Sequence, residues 1–153
     1  MKVKDIMTTE PAVCTPDTTV ADAAHLMWDS DCGMLPVVDD GELVGVVTDR
    51  DMYIALATRD ERAATLRVGA VANNTVWSCV GDDDVQTALA TMKQHRVRRL
   101  PVLGFGRTVI GVISMNDIVL AAGADGTVRD HDVVDVLKTI CAHHHPVPHV
   151  VAA

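Results

Sequence analysis

Two short motifs place a hydroxyl residue three positions before an aspartate, at Thr48 with Asp51 and at Ser114 with Asp117. Each motif can act as a capping box, with Asp in place of the usual Glu, and satisfy free N–H groups at a helix start. The same arrangement can serve a ligand, because a helix N-terminus favours phosphate, a hydroxyl adds a hydrogen bond, and a carboxylate can accept hydrogen bonds from both ribose hydroxyls. The motifs leave both interpretations open, a structural cap and a ribonucleotide site.

Positive charge is concentrated in one part of the second half of the chain. The residues are Lys93, His95, Arg96, Arg98, Arg99 and Arg107. One interpretation is a solvated face balanced by acidic residues of the first half, namely Asp29, Asp31, Asp39 and Asp40. The other is a phosphate site, because Arg98 and Arg99 directly precede a predicted buried strand, where a charge needs a partner, and guanidinium groups pair well with phosphate.

Other reactive residues do not form a recognisable catalytic or metal-binding pattern. Cys141 and His145 stand four positions apart in a histidine-rich ending, but such a run before Pro146 is more typical of a polar tail, so we expect no ordered metal site. Cys14 and Cys79 are expected to be buried apolar residues rather than a disulfide. The sequence has no nucleophile elbow, H-E-x-x-H motif or Walker loop, so we expect no enzyme activity and no required cofactor.

Composition excludes several classes of protein. The chain has 153 residues, a formal net charge of −8 and 3% aromatic residues, which disfavours general binding to nucleic acid or to anionic membranes. No apolar run approaches the length of a membrane span, the first residues lack a signal-peptide core, and the cysteines lack a disulfide-dense spacing. We therefore expect a cytoplasmic protein with reduced thiols.

The chain contains an internal repeat. Leu35-Pro36-Val37 recurs 65 residues later as Leu100-Pro101-Val102, and Gly45-Val46 recurs 66 residues later as Gly111-Val112. The change of offset places one inserted residue in the second hairpin turn, where insertions are tolerated. We divide the chain into a first repeat at residues 1–62, a second at 63–123, and a C-terminal helix with a flexible tail at 124–153.

Each repeat is predicted to follow the order β-α-β-β-α, which makes an α/β (α+β) fold with mixed strand pairing. The extended runs are predicted at 12–15 and 76–80, the hairpin strands at 34–38, 43–47, 100–103 and 109–113, and the closing helices at 49–57 and 115–122. The closing helices are apolar nearly all round. They must therefore pack on the other half of the chain or in a homodimer, and both remain open.

The aligned repeats resemble a tandem pair of cystathionine-β-synthase (CBS) domains, also called a Bateman module, over about residues 1–122. The motifs that carry the resemblance are Leu35-Pro36-Val37-Val38-Asp39 with Gly45-Val46-Val47-Thr48-Asp49-Arg50-Asp51, and Arg99-Leu100-Pro101-Val102 with Gly111-Val112-Ile113-Ser114-Met115-Asn116-Asp117. The whole chain is also similar to stand-alone two-CBS proteins of the hypoxic-response type. The resemblance implies two repeats related by a pseudo-twofold axis.

The resemblance also implies two clefts between the repeats that bind adenosine ligands. The first cleft would use Val46, Thr48, Arg50 and Asp51, with Trp77, Val97 and Arg98 opposite. The second cleft would use Val112, Ser114, Asn116 and Asp117, with Ala12, Cys32 and Gly33 against the base. Asp51 and Asp117 would hold ribose, while Arg50, Arg98 and Arg99 would reach phosphates.

The function implied by this resemblance is a non-catalytic regulatory homodimer that senses AMP, ADP or ATP. Because the basic pair before the second hairpin has Gly33 and Met34 as its counterparts in the first repeat, we expect the two clefts to bind unequally. The alternative is a ligand-independent interaction protein in which the hydroxyl–aspartate motifs are caps only.

Overall fold

The computed structural model describes residues 1–123 and 126–142. The α-helices within these residues are α1 Val20–Asp29, α2 Asp49–Arg59, α3 Val85–His95, α4 Met115–Ala121 and α5 Asp130–Cys141. The strands are β1 Thr8–Thr9, β2 Met34–Asp39, β3 Glu42–Thr48, β4 Cys79–Val80, β5 Arg99–Leu103 and β6 Val109–Ser114. Over this part of the chain, no helix combines the length and the apolar character that a membrane crossing requires.

The two predicted hairpins and the helices around them are confirmed. β2 pairs antiparallel with β3, and β5 pairs antiparallel with β6. The first hairpin turns at Asp40 and Gly41, whose φ angles of 47° and 81° are those of a type I′ turn. The second hairpin is longer and contains the short 3-10 helix Phe105–Arg107, at the place where the change of offset predicts an inserted residue.

The predicted extended runs are shorter than expected. The run at 12–15 contributes only a parallel bridge between Cys14 and Val37, and Cys79–Val80 is the part of the second run that forms a strand, parallel to β5. The first run lies between Pro11 and Pro16, which have no N–H group to donate to a strand ladder. The parallel and antiparallel contacts together confirm the expected mixed pairing.

The segment that begins the chain packs against the second repeat, which the sequence pattern did not predict. Val3 lies in the short 3-10 helix Val3–Asp5 and is fully buried in the core formed by α3, β5, β6, α4 and α5. The Val3 N–H donates to the Asp83 carbonyl at 2.9 Å, and the Val85 N–H donates to the Met1 carbonyl at 3.2 Å. β1 then pairs antiparallel with β6, which gives the sheet order β1-β6-β5-β4.

The segment between the repeats makes the matching contacts with the first repeat. Val68 lies in the 3-10 helix Val68–Ala70 and is fully buried with Leu66 in the core around α1 and the first hairpin. The Val68 N–H donates to the Thr18 carbonyl at 2.8 Å, and Asn73 forms an antiparallel bridge with Val46. The segment at the start of each repeat therefore packs on the core of the other repeat, and we call these two segments, which contain Val3 and Val68, the exchanged segments. Each core thus contains residues from both sides of the proposed division at residue 62.

The glycines that precede the two T/S-x-x-D motifs allow these exchanged segments to approach. A Cβ atom on Gly111 would lie 2.9 Å from the Thr8 carbonyl oxygen, and one on Gly45 would lie 3.2 Å from the Asn73 carbonyl oxygen. Either side chain would press on a backbone that is already paired with the adjacent strand. The glycine of each motif is therefore explained by packing rather than by ligand binding.

The closing helices bury only one side each. Met52 and Ala55 of α2 and Met115 and Ile118 of α4 are buried, but Tyr53 is 74% exposed and Leu120 is 85% exposed. Among the described residues, the other half of the chain does not cover these outer faces, so packing on the other half does not account for them. The predicted C-terminal helix is confirmed as α5, which packs against α3 and α4 with Val133 and Val136 buried.

Candidate functional site

A cleft of about 520 Å³ lies between the two repeats. Every residue predicted for the first cleft lines it, namely Val46, Thr48, Arg50, Asp51, Trp77, Val97 and Arg98. The start of α2 and the first hairpin supply lining residues from the first repeat, while the segment before β4 and the residues between α3 and β5 supply lining residues from the second. The structure thus brings these residues together, and their role as ligand contacts stays a prediction.

Further residues line the same cleft. They are Met34, Asp49, Asn73, Thr75, Val76, His95, Arg96, Arg99, Pro101 and Ile140. Asn73, Thr75 and Val76 were missed because they belong to the exchanged segment, and Ile140 because α5 was not expected to reach the cleft. The basic cluster did signal His95 and Arg96, but their sequence positions alone could not assign them to this cleft.

The Thr48–Asp51 motif forms a complete capping box. The Asp51 Oδ2 atom accepts hydrogen bonds from the Thr48 N–H at 3.1 Å and from the Thr48 hydroxyl at 2.6 Å, and the Asp51 N–H donates to Thr48 Oγ1 at 3.2 Å. The cap interpretation is therefore confirmed. The second oxygen of Asp51, Oδ1, has no hydrogen-bond partner among the described residues, so it remains able to accept bonds from a ligand.

The expected phosphate site at the start of α2 is not supported, because its first N–H groups already have acceptors. The Asp49 N–H donates to the Gly33 carbonyl at 3.4 Å, the Arg50 N–H donates to Asp49 Oδ1 at 2.7 Å, and the Asp51 N–H is used in the cap. The Thr48 hydroxyl directs its hydrogen to Asp51 and has none left for a phosphate. An anion in this cleft would therefore need donors other than these three N–H groups.

The basic cluster divides into residues with protein partners and residues that face the cleft. Lys93 forms an ion pair with Asp135, and Arg107 donates to the Leu43 carbonyl at 3.0 Å, which joins the second hairpin to the first repeat. Arg50, Arg96, Arg98 and Arg99 line the cleft, and their guanidinium groups form no ion pair or hydrogen bond with any described residue. The aspartates expected to balance the cluster make no ion pair with it in this part of the chain.

An aromatic pair also lines the cleft. The imidazole of His95 stacks on the indole of Trp77 with ring centroids 3.4 Å apart and planes inclined by 10°. Trp77 remains 42% exposed. Trp77 was predicted as the aromatic residue of the cleft, but its stacking partner at the end of α3 was not.

The residues predicted for the second cleft are placed less completely. Ser114 and Asp117 form the same capping box, with the Asp117 Oδ2 atom 2.6 Å from the Ser114 hydroxyl oxygen. Val112 lies opposite Thr8 of β1 in the sheet. Ala12, Cys32 and Gly33 are partly buried, and Asn116 is exposed. Their assembly into a second ligand site stays a prediction.

The remaining candidate residues supply no site in the described part of the chain. Cys141 is exposed at the end of α5, and His145 lies outside the described residues. The described residues contain no group of three or more His, Cys, Asp or Glu side chains arranged to hold a metal ion. Cys14 and Cys79 are buried free thiols, each in a different core cluster.

Comparison with known proteins gives one consistent result. The family model for the CBS domain matches residues 3–58 and 68–124. Hypoxic response protein 1 of Mycobacterium tuberculosis is 29% identical over 140 residues, which cover 91% of this chain and 93% of that protein.

Two solved structures agree with this match. The CBS domain pair of protein MJ0100, in complex with 5′-methylthioadenosine and S-adenosyl-L-methionine, has a TM-score of 0.73 and 25% identity over 82% of this chain and 98% of its own. CBSX2, in complex with AMP, has a TM-score of 0.67 and 28% identity over 78% of this chain and 94% of its own. The internal repeat and these matches lead to the same conclusion. The chain belongs to the CBS domain family and contains two copies of that domain.

Proposed function

We propose that the protein is a non-catalytic regulatory module that binds an adenine nucleotide in the cleft between its repeats. The main support is that the cleft combines three kinds of group. They are the Asp51 carboxylate, whose Oδ1 atom has no hydrogen-bond partner among the described residues, the aromatic ring of Trp77, and guanidinium groups that form no ion pair with described residues. The complexes of the MJ0100 CBS pair with 5′-methylthioadenosine and S-adenosyl-L-methionine, and of CBSX2 with AMP, support the adenosine class of ligand. Asp51 Oδ1 would accept hydrogen bonds from the ribose hydroxyls.

Binding in this cleft provides a means of regulation. The walls come from both repeats, so a ligand that touches both would favour the relative orientation of the repeats that it binds more tightly. At saturation, the ligand would change the free-energy difference between the two orientations by the difference in its binding free energy for them. No chemical step is required of the protein.

The paired capping boxes supply a test of this function. Asp51→Ala and Asp117→Ala each remove the carboxylate half of an equivalent capping box and leave the hydroxyl half, so we expect each to lower the free energy of unfolding by about 1 kcal/mol. Asp51→Ala should in addition weaken nucleotide binding about tenfold or more, since hydrogen bonds from ribose to a carboxylate are lost. Isothermal titration calorimetry with ATP and AMP, beside thermal unfolding, measures both effects.

The matched variant makes this test specific to the cleft. Asp117→Ala should leave the affinity of the first cleft unchanged while it reproduces the loss of stability. No heat of binding for the wild type with any adenosine compound at millimolar concentration would contradict the proposal. Equal affinities of wild type and Asp51→Ala would remove Asp51 from the site.

The outer faces of α2 and α4 lead us to propose that the module is a homodimer. Tyr53, Ile54, Val119 and Leu120 place exposed apolar side chains on helices that occupy equivalent positions in the two repeats. Leu120→Glu should shift the protein from dimer to monomer in sedimentation equilibrium, because a charge would be buried at the interface. Phe105→Glu is the control, since Phe105 is fully exposed on the second hairpin, and it should leave the dimer intact.

A ligand-independent interaction protein is the second candidate function. The complete capping boxes favour it, because both motifs have a structural role without any ligand. The two functions differ in a thermal-shift screen of adenosine compounds. The melting temperature of a binding module rises with the logarithm of the ligand concentration once that concentration exceeds the dissociation constant, whereas an interaction protein keeps one melting temperature throughout.

A further inference from the structure

We propose that the cleft between the repeats selects nucleotides that carry two or three phosphates over AMP, uncharged adenosine and the cationic S-adenosylmethionine. This inference rests on the proposed function, because it specifies which adenine ligand the same cleft accepts. It depends on the unpaired arginine side chains that line the cleft and on the N–H groups at the start of α2, which already have acceptors.

The cleft is locally positive in a protein of negative charge. Four arginine side chains line it against two carboxylates, Asp49 and Asp51, although the whole chain carries a formal charge of −8. None of the four guanidinium groups is paired with a described residue, so their charge is available to a ligand. Guanidinium groups remain protonated at any physiological pH and form paired hydrogen bonds with phosphate oxygens.

The location of these groups favours an extended anion over a single phosphate. Arg50 belongs to α2 of the first repeat, whereas Arg96, Arg98 and Arg99 follow α3 in the second repeat. One phosphate group has three terminal oxygens, which is enough for paired hydrogen bonds with one or two guanidinium groups but not with all four. A chain of two or three phosphates has more acceptors and greater reach. The helix N–H groups of α2 are already occupied, so they do not provide an alternative anchor for a monophosphate.

The positive charge is confined to one of the two pseudo-equivalent positions in the fold. The internal repeat aligns each of the four arginines with a residue that is not basic. Arg50 aligns with Asn116, Arg96 with Asp31, Arg98 with Gly33, and Arg99 with Met34. The inference therefore predicts one polyphosphate site per chain.

Arg96 offers a variant that changes the charge of the cleft with little strain on the fold. It ends α3 in the left-handed region with φ 55°, where glycine is more favourable than arginine. Arg96→Gly should therefore preserve the melting temperature while it weakens ATP binding about fivefold or more. Asp31→Gly is the matched control, because Asp31 has φ 47° at the equivalent position of the first repeat and does not line the cleft.

The experiment is a calorimetric titration of wild type and both variants with ATP, ADP, AMP, adenosine, S-adenosylmethionine and inorganic tripolyphosphate. We expect ATP and ADP to bind at least about tenfold more tightly than AMP, adenosine to bind more weakly than AMP, and S-adenosylmethionine to bind most weakly. The preference for ATP should shrink as salt is raised, because screening weakens exposed charge interactions. Arg96→Gly should reduce the affinity for ATP and leave that for adenosine unchanged.

The outcomes separate this inference from the function on which it rests. If AMP or S-adenosylmethionine binds as tightly as ATP, selection by phosphate number is wrong and nucleotide binding stands. If tripolyphosphate binds as tightly as ATP and adenosine not at all, the cleft is an anion site and the nucleotide function is wrong. Equal ATP affinities of wild type and Arg96→Gly would also overturn the inference.

Discussion

Val3→Asp is expected to unfold the second repeat preferentially, with a loss of about 3 kcal/mol or more in the free energy of unfolding. Val3 is fully buried in the second core, although it stands at the opposite end of the repeat pair in sequence. A carboxylate there would be surrounded by apolar side chains of the second core. The contacts of the leading segment with Asp83 and Val85 should be lost together with the side-chain packing.

Hydrogen exchange resolved by repeat is the measurement that checks this expectation. Val3→Asp should deprotect α3 and β5 before α1 and β2, and Val68→Asp should produce the reverse order, because Val68 is buried in the first core. Val13→Asp is the control, since Val13 is 41% exposed and should change stability little. Loss of protection in the first repeat alone on Val3→Asp would refute the exchange of leading segments.

The exchanged segments also mark the limit of what sequence patterns reveal about this fold. The hairpins and helices could be predicted because their turn residues and apolar spacing are local, and the repeat offset located the insertion. The same offset makes Val3 and Val68 equivalent, but equivalence does not say which core each enters. That choice depends on packing between segments far apart in the chain, such as the close approach of Thr8 to Gly111.

The candidate site shows a similar division between what was predicted and what was not. The repeat alignment with the CBS resemblance grouped the first-cleft residues, since both walls follow from equivalent motif positions. It could not show that the N–H groups of Asp49, Arg50 and Asp51 already have acceptors, because that depends on the Gly33 carbonyl and on side-chain orientation. The helix-end phosphate site, one of the two interpretations that the motif left open, lacks support for this reason.

The buried thiols give the second large expected effect. Burial raises the pKa of Cys14 to about 11, and burial with the nearby charge of Asp83 raises the pKa of Cys79 to about 12. At pH 8 the thiolate fraction of such groups is roughly a hundredfold or more below that of an ordinary thiol. Reaction of the folded protein with a disulfide reagent should therefore show fast modification of Cys141 and slow modification of Cys14 and Cys79.

Measurement of the released chromophore with and without denaturant checks this difference. In denaturant all four cysteines should react in one fast phase, whereas the native protein should hold Cys14 and Cys79 back until it opens. The Cys141→Ser variant is the control that identifies the fast native phase. Rapid modification of all four thiols under native conditions would contradict the burial of the two core cysteines.

The same pKa shifts predict a loss of stability on the alkaline side. Both thiols keep their protons in the folded state at a pH where the unfolded chain releases them. Stability is therefore fully present below about pH 8.5 and falls as the pH rises toward 11 to 12. Urea unfolding at pH 8, 9 and 10 should show a steeper loss for the wild type than for the Cys14→Ala/Cys79→Ala variant, whose remaining titratable groups are unchanged. Parallel pH profiles would show that the core thiols are not the cause, whatever the difference in absolute stability between the two proteins.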